Sequence, residues 1–308
     1  MTALRSKLVR KIGIMISLAS LVSACQPVAV RFAPAAAPMA TAQATAVRAI
    51  NPPEPTATRR ASPVPTLTLT PMDNVEPITL TIVYDNRPLD SRLETAWGFA
   101  CLIETRSKSI LFDTGGDGQL LLDNLTTLGI DPQAIDAVAL SHIHSDHTGG
   151  LDRLLAANDH LTIYLPRSFP ASFKARLHNP IVEVSEPLPL ADHIRTTGEL
   201  GTTIIEQALI IETRQGSIVL TGCAHPGIVE VVRQAEALGN VDLVMGGFHL
   251  ADYSAAEVAA VIAALKRSGV QRVAPSHCTG ERAIEQFHAE FDAGFIPVGA
   301  GAIIHVEQ

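Results

Sequence analysis

The decapeptide SHIHSDHTGG, residues 141–150, places three imidazoles and a carboxylate in six consecutive positions directly behind an apolar run. That run, AIDAVAL at 134–140, reads as a buried strand, and polar groups at the end of a buried strand are costly unless something satisfies them. In His142-Ile143-His144 two imidazoles on a tight turn can reach one ion. Asp146-His147 offers a carboxylate and an imidazole to a second ion nearby. Neutral imidazole and carboxylate suit zinc, with manganese or iron as alternatives, so the expected cofactor is a pair of divalent ions. A solvated polar turn would look the same in isolation.

Histidines at later strand ends separate the two readings. All eleven histidines lie at or after position 142; His225 follows the apolar run SIVLTGC, His249 follows VDLVMGGF and His277 follows VQRVAPS. In sheets flanked by helices, C-terminal strand ends are where loops converge on a ligand. His225 and His277 are therefore candidate metal ligands beside His142, His144, Asp146 and His147. Two residues stay open: Cys223, as a soft ligand or a small buried residue, and His249, as a pocket-lining or a hydrogen-bonded core residue. His160, His178, His193, His288 and His305 stand in polar or terminal settings and read as surface or structural residues.

Around this motif the pattern is regular from Pro77 onward. ITLTIVYD (78–85), WGFACLIET (97–105) and SILFDTGG (109–116) read as strands, followed by a helix ending at Gly129. LTIYLP is a strand, EQALIIETRQGSIVLTG a pair joined through Arg214-Gln215-Gly216, and VDLVMGGFHL and VQRVAPSH two more. Ser254 to Glu257 form a capping box that opens a helix stopping at Gly269. FIPVGAGAIIHV reads as a closing strand. Stacked sheets flanked by helices, an α/β architecture, follow from this order.

His142-Ile143-His144-Ser145-Asp146-His147, with Asp113 in FDTGG upstream, resembles the signature of the metallo-β-lactamase superfamily. LTGCAHPGI (220–228), GGFHL (246–250) and SHCTG (276–280) are similar, more narrowly, to its dihydropteroate-synthase-like branch, related to dihydropterin/aminobenzene-ribofuranosyl-phosphate synthases. The resemblance implies a four-layer αββα sandwich of two mixed β-sheets with a dinuclear site at one edge. It places His142 and His144 on the first metal, and Asp146, His147 and His277 on the second. Asp146 becomes the proton acceptor and Asp113 the carboxylate that fixes the motif loop, the two catalytic candidates. One stretch departs from the family: no Gly-His-Thr or Gly-His-Ser turn occurs between Asp192 and Gln207, and Cys223 stands where a bridging aspartate is usual. His225 is then expected to complete the first metal.

The first 76 residues differ from the rest. Residues 1–24 run from a basic start through Ile12 to Val22 into small residues, the layout of a secretory signal. Val22-Ser23-Ala24-Cys25 resembles a lipobox, so Cys25 is expected to carry a lipid that holds the protein to the outer face of a bacterial membrane. Residues 25–76 are rich in Ala, Thr and Pro without hydrophobic period and read as a disordered tether; residues 77–308 form the metal-binding domain. From Pro77 on, 28 acidic residues face 15 basic ones, a net charge of −13 against −8 for the whole chain. Such a domain repels phosphate backbones, which excludes nucleic acid as a general partner and leaves a small molecule. The glycine-bearing turns lack P-loop or dinucleotide spacing, and no Gly-x-Ser-x-Gly elbow occurs.

The expected activity is metal-dependent hydrolysis, by a metal-bridging hydroxide, of an ester, phosphoester or amide-like bond. Two alternatives stand beside it: a transferase condensing a dihydropterin with an aminobenzene ribofuranosyl phosphate, and a metal- or ligand-binding lipoprotein without turnover.

Overall fold

The structure is a computed structural model that describes residues 78–306. The signal segment, the lipid-bearing Cys25 and the tether expected within residues 1–76 lie outside the described residues. Among the described residues no helix is long and apolar enough to cross a membrane.

Six strands in succession build one sheet: β1 (Ile78–Asp85), β2 (Phe99–Glu104), β3 (Ser109–Phe112), β4 (Ala137–Ala139), β5 (Thr162–Pro166) and β6 (Ile181–Val184). The next six build the other: β7 (Pro189–Ala191), β8 (Ile194–Thr196), β9 (Leu209–Thr213), β10 (Gly216–Thr221), β11 (Val241–Gly247) and β12 (Arg272–Ser276). The last strand, β13 (Ile303–Val306), returns to the first sheet beside β1. Both sheets are mixed. β1 to β3 pair antiparallel and β3 to β6 parallel. β7 to β10 pair antiparallel and β10 to β12 parallel.

Strand periodicity makes the layers. Alternate side chains point to opposite faces. Ile78, Leu80 and Ile82 of β1, with Phe99, Cys101 and Ile103 of β2, meet Ile218, Leu220, Leu243 and Met245 of the second sheet in one core between the sheets. Residues one step out of phase pack outward: Ala100 and Leu102 contribute to the first sheet's outer core, Val219 and Val244 to the second's. Because both faces of the central strands are buried, those strands read as continuous apolar runs.

Helices close the outer faces. α1 (Gly118–Thr127), α2 (Ser145–Thr148), α3 (Leu151–Ala157) and α4 (Ala171–Lys174) lie within the first half of the chain; α5 (Ile228–Glu236), α6 (Ala255–Arg267) and α7 (Glu281–Phe291) lie within the second. Leu121, Leu125, Leu151 and Leu154 cover the first sheet. Val231, Ile262 and Phe287 cover the second. Two mixed sheets between helical layers are the αββα sandwich expected above, and the capping box at Ser254 and Glu257 is present.

Three short strands, β6 to β8, and helices α2, α4, α5 and α7 lie outside the sequence expectation, and the expected closing strand is shorter. At Ala300 the chain bends away, its N–H donating to the Arg87 carbonyl, and Gly301 and Ala302 bond irregularly to Ile82 of β1, so the regular register with β1 is confined to Ile303–Val306.

The inter-sheet core carries the stability of this arrangement. Leu220→Ala, at a fully buried position, is expected to cost about 2–5 kcal/mol in urea unfolding. Leu89→Ala, at a side chain 53% exposed, should stay within about 0.5 kcal/mol.

Candidate metal centre

Parallel strands aligned side by side deliver their C-terminal ends to one edge. Asp113 follows β3, the 141–147 turn follows β4, Cys223 and His225 follow β10, His249 follows β11, and His277 and Cys278 follow β12. The backbone there is bent hard. Asp113, Ala224, His249 and His277 all have φ between 48° and 61°, a region that non-glycine residues occupy only when their surroundings force it.

Asp113 organises the first half of the edge. It is wholly buried; its Oδ1 accepts the Ser141 N–H at 2.6 Å, and its Oδ2 accepts the Ser141 hydroxyl and faces His147 Nδ1, both at 2.7 Å. These bonds fix tautomers. A carboxylate only accepts, so His147 Nδ1 carries the proton and leaves the Nε2 lone pair free. Ser141 gives its single proton to Asp113, so His142 Nδ1, 2.9 Å from that hydroxyl, must donate to it, which leaves His142 Nε2 as an acceptor 3.0 Å from His144 Nδ1. His277 Nδ1 donates to Asn86 Oδ1 at 2.8 Å. Each ring thereby turns an unprotonated nitrogen inward, the arrangement by which outer hydrogen bonds orient metal-binding histidines.

Two donor sets result. His142, His144 and His225 bring one ligand atom each to within 4.8 Å of one another, and Asp146, His147, Cys223 and His277 do the same. Tetrahedral zinc with nitrogen and sulfur ligands needs ligand-to-ligand edges of about 3.3–3.8 Å. In the second set His147 Nε2 lies 3.2 Å from Cys223 Sγ and 3.6 Å from Asp146 Oδ2, and His277 Nε2 lies 3.4 Å from Asp146 Oδ2. The buried Nε2 atoms of His225 and His277 have no hydrogen-bond partner, a cost that coordination removes. Residues and spacing fit two divalent ions.

Electrostatics agree with that assignment. Burial, then the neighbouring His147 and His225, hold His142 neutral far below the usual imidazole range. Burial and the rings of His249 and His144 bring His225 down to about 4. Burial pushes Asp146 up, but His277 and His147 more than offset it and hold the carboxyl below its usual range. Burial lowers His147 too, but the Asp113 and Asp146 carboxylates outweigh it and raise that ring. The edge thus offers a neutral His142 and His225, an ionised Asp146, and a His147 whose proton a bound cation would displace.

Every metal candidate of the sequence falls in one of the two sets, and both open residues join the edge. Cys223 lies in the second set. His249 has its ring 4.3 Å from that of His225 and belongs to a further group with Cys223 and Cys278. Burial raises Cys278 but hydrogen bonds from Cys223 and His249 outweigh it, making Cys278 the more acidic thiol of the pair. The histidines read as surface or structural residues stay outside all three groups.

Sequence reasoning missed four neighbours. Glu206, wholly buried, accepts the N–H groups of Cys223 and Ala224 on Oε1 at 2.9 and 2.8 Å and that of His225 on Oε2 at 2.8 Å. It stands in the stretch where the usual family turn is absent and holds the replacement loop from beneath. No spacing rule marks such a residue; only its location in an otherwise apolar approach to β9 hints at it. Asn86 orients His277, Cys278 adds a thiol, and Trp97, 56% exposed, lays its ring 4.8 Å from that of His277. A cleft of about 450 Å³ opens beside His225, lined by Gly201 to Ile204, Pro226 and Glu230. A second of about 430 Å³ runs from His225 past His249 to Tyr253.

Residues 98–244 match the family model of the metallo-beta-lactamase superfamily. The chain is 31% identical over 287 residues to the 7,8-dihydropterin-6-methyl-4-(beta-D-ribofuranosyl)-aminobenzene-5'-phosphate synthase of Methanocaldococcus jannaschii, covering 76% of this chain and 97% of that protein. Among solved structures, a metal-dependent hydrolase of the beta-lactamase superfamily superposes with a TM-score of 0.64 at 26% identity, over 75% of this chain and all of the other. The metallo-beta-lactamase fold protein YhfI from Bacillus subtilis gives 0.59 at 19% identity, over 75% and 99%; at that identity the likeness is one of fold. With strand ends, donor sets and relatives in agreement, this chain belongs to the metallo-beta-lactamase superfamily.

Two buried carboxylates should therefore control metal affinity without facing the ions. Asp113→Ala is expected to weaken metal binding about 10–100-fold in chelator competition. Glu206→Gln turns an amide N–H toward the backbone donors of the 223–225 loop. It should cost about 1–3 kcal/mol of stability in urea unfolding and loosen the ion held through His225.

Proposed function

We propose that the chain is a metal-dependent hydrolase acting on an ester, phosphoester or amide-like bond of a small molecule. One observation carries this reading: two adjacent donor sets share one strand-end edge, and the buried Nε2 atoms of His225 and His277 have no partner there. His142, His144 and His225 would hold one divalent ion and Asp146, His147 and His277 the other, with zinc favoured by the nitrogen-rich donors. Two such ions supply Lewis acidity and lower the pKa of a water to near neutrality.

The chain's own groups do the rest. Asp146 is ionised; its Oδ2, between the Nε2 atoms of His147 and His277, would be the ligand atom, which leaves the second carboxylate oxygen to take the proton of the attacking water. Asp113 keeps His147 from turning. The clefts on either side of His225 and Pro226 have the volume of small-ligand sites, and the exposed Trp97 ring offers a flat apolar wall beside His277. On the reading of residues 1–24 as a lipoprotein signal, the enzyme works outside the cytoplasmic membrane, held through Cys25.

The extent of identity with the Methanocaldococcus synthase favours a second reading. In it the same edge activates a dihydropterin for condensation with an aminobenzene ribofuranosyl phosphate. On the reading of residues 1–24 as a secretory signal, export weighs against that chemistry, whose pterin substrates are made inside the cell.

His144→Ala and Asp146→Ala are each expected to lose bound metal and at least about a hundredfold in hydrolysis over a panel of phosphoesters, thioesters and lactones. Full metal content and full turnover in both variants would end the proposal. Product from a pterin pyrophosphate paired with the aminobenzene phosphate, and none from the panel, would select the condensing reading.

A further inference from the structure

A third donor group lies against the pair just described. Cys223, His249 and Cys278 each bring one ligand atom to within 4.8 Å of the others. They come from three loops, after β10, β11 and β12. We propose that these three residues form a third, thiolate-rich metal position for a borderline or soft ion, zinc in the first instance. Cys223 Sγ would be shared between it and the Asp146, His147 and His277 set. The proposal rests on the reading of this edge as a metal centre only through that shared sulfur.

The chemistry of the donors supports it. Two thiolates and an imidazole make a three-ligand set that leaves a fourth position open, the pattern of zinc sites that bind water or another ligand. His249 is exposed at the cleft leading to Tyr253, so the open position would face solvent. Cys101 supplies the contrast within the chain. It is wholly buried in β2 among apolar neighbours with no histidine or second thiol in a donor group beside it, as a free cysteine used for packing is; Cys278 Sγ, by contrast, lies 3.7 Å from the Cys223 carbonyl within such a group.

The scaffold brings the sulfurs together at some cost. A Cβ on Gly247 would stand 2.7 Å from Cys278 Sγ and 3.2 Å from Cys223 Cα, so the absence of a side chain there is what admits the thiols. The Gly247 N–H donates to the Gly222 carbonyl at 3.1 Å, and the Phe248 N–H donates to Thr279 Oγ1 at 3.0 Å. Thr279 in turn donates to the Ser276 carbonyl at 2.6 Å. These bonds cross-brace the three loops before any ion arrives, which lowers the entropy lost on binding. His249 adopts φ 53°, a strained backbone for an exposed residue that fills no core. Its ring stands beside the two sulfurs and 4.3 Å from that of His225.

The test uses the full chain, kept reduced and loaded with zinc or cobalt. Elemental analysis of the wild type should give about three ions per chain, and Cys278→Ser and His249→Ala about two, with circular dichroism unchanged. A His142→Ala/His144→Ala variant should lose the first-set ion yet keep the thiolate-to-cobalt absorption. That result keeps this site distinct from the hydrolase reading, which fails if those imidazoles do not bind metal. On the unaltered protein, cadmium NMR should show one resonance in the range of two-sulfur coordination. Metal content and cobalt spectrum unaffected by both Cys278→Ser and His249→Ala, or no two-sulfur cadmium signal, would overturn the proposal.

Discussion

A wholly buried carboxylate costs several kcal/mol unless its oxygens are filled with donors, and Asp113 is filled by the very groups it must position. Its bonds to Ser141 and His147 tie the end of β3 to the turn after β4 and to helix α2. Remove that carboxylate and the 141–147 turn has no reason to point its imidazoles at a common space. Glu206 repeats the device on the second sheet, where three consecutive backbone N–H groups converge on it. Each sheet therefore carries a buried carboxylate that gathers donors from the loop above it.

The two halves meet because Gly222 has no side chain. A Cβ there would lie 2.2 Å from Ser141 Oγ and 2.8 Å from Asp113 Oδ2, so the β10 turn can dock on the Asp113 system only as glycine. Gln207 adds a second link, its backbone and side-chain N–H groups donating to the Ser141 and Leu140 carbonyls. Through these contacts a donor set that needs residues from both sheets becomes one edge. Folding in this way crowds imidazoles and leaves the buried Nε2 atoms of His225 and His277 unpartnered, a cost that metal binding would offset, which would couple ion affinity to stability.

Strands and the first donor cluster were legible in the sequence because each is local. β1 was readable to its ends, since an apolar run between polar neighbours needs no other information. The hairpin of β9 and β10 was carried by Arg214-Gln215-Gly216, and α6 by its capping box. α5 and α7 were harder: their apolar residues, Val231 and Val232 or Ile284 and Phe287, sit among charged neighbours on short helices beside glycine-rich loops. β6, β7 and β8 have three or four residues each, too few for a period to register. Glu206, Asn86 and Cys278 carry no motif of their own, because what they do is defined by a partner distant in the chain.

The sequence by itself determined which residue types stand at strand ends, since alternating burial fixes where a run stops and a polar turn begins. It determined the net negative charge of the domain and the histidine spacing of a candidate metal turn. Only the tertiary structure decided which donors share a space, that Cys223 lies between two groups, and which ring nitrogens are free. Those outcomes depend on hydrogen bonds and close approaches between residues up to 191 positions apart. No local pattern encodes a distance of that kind; it exists only once two sheets have packed.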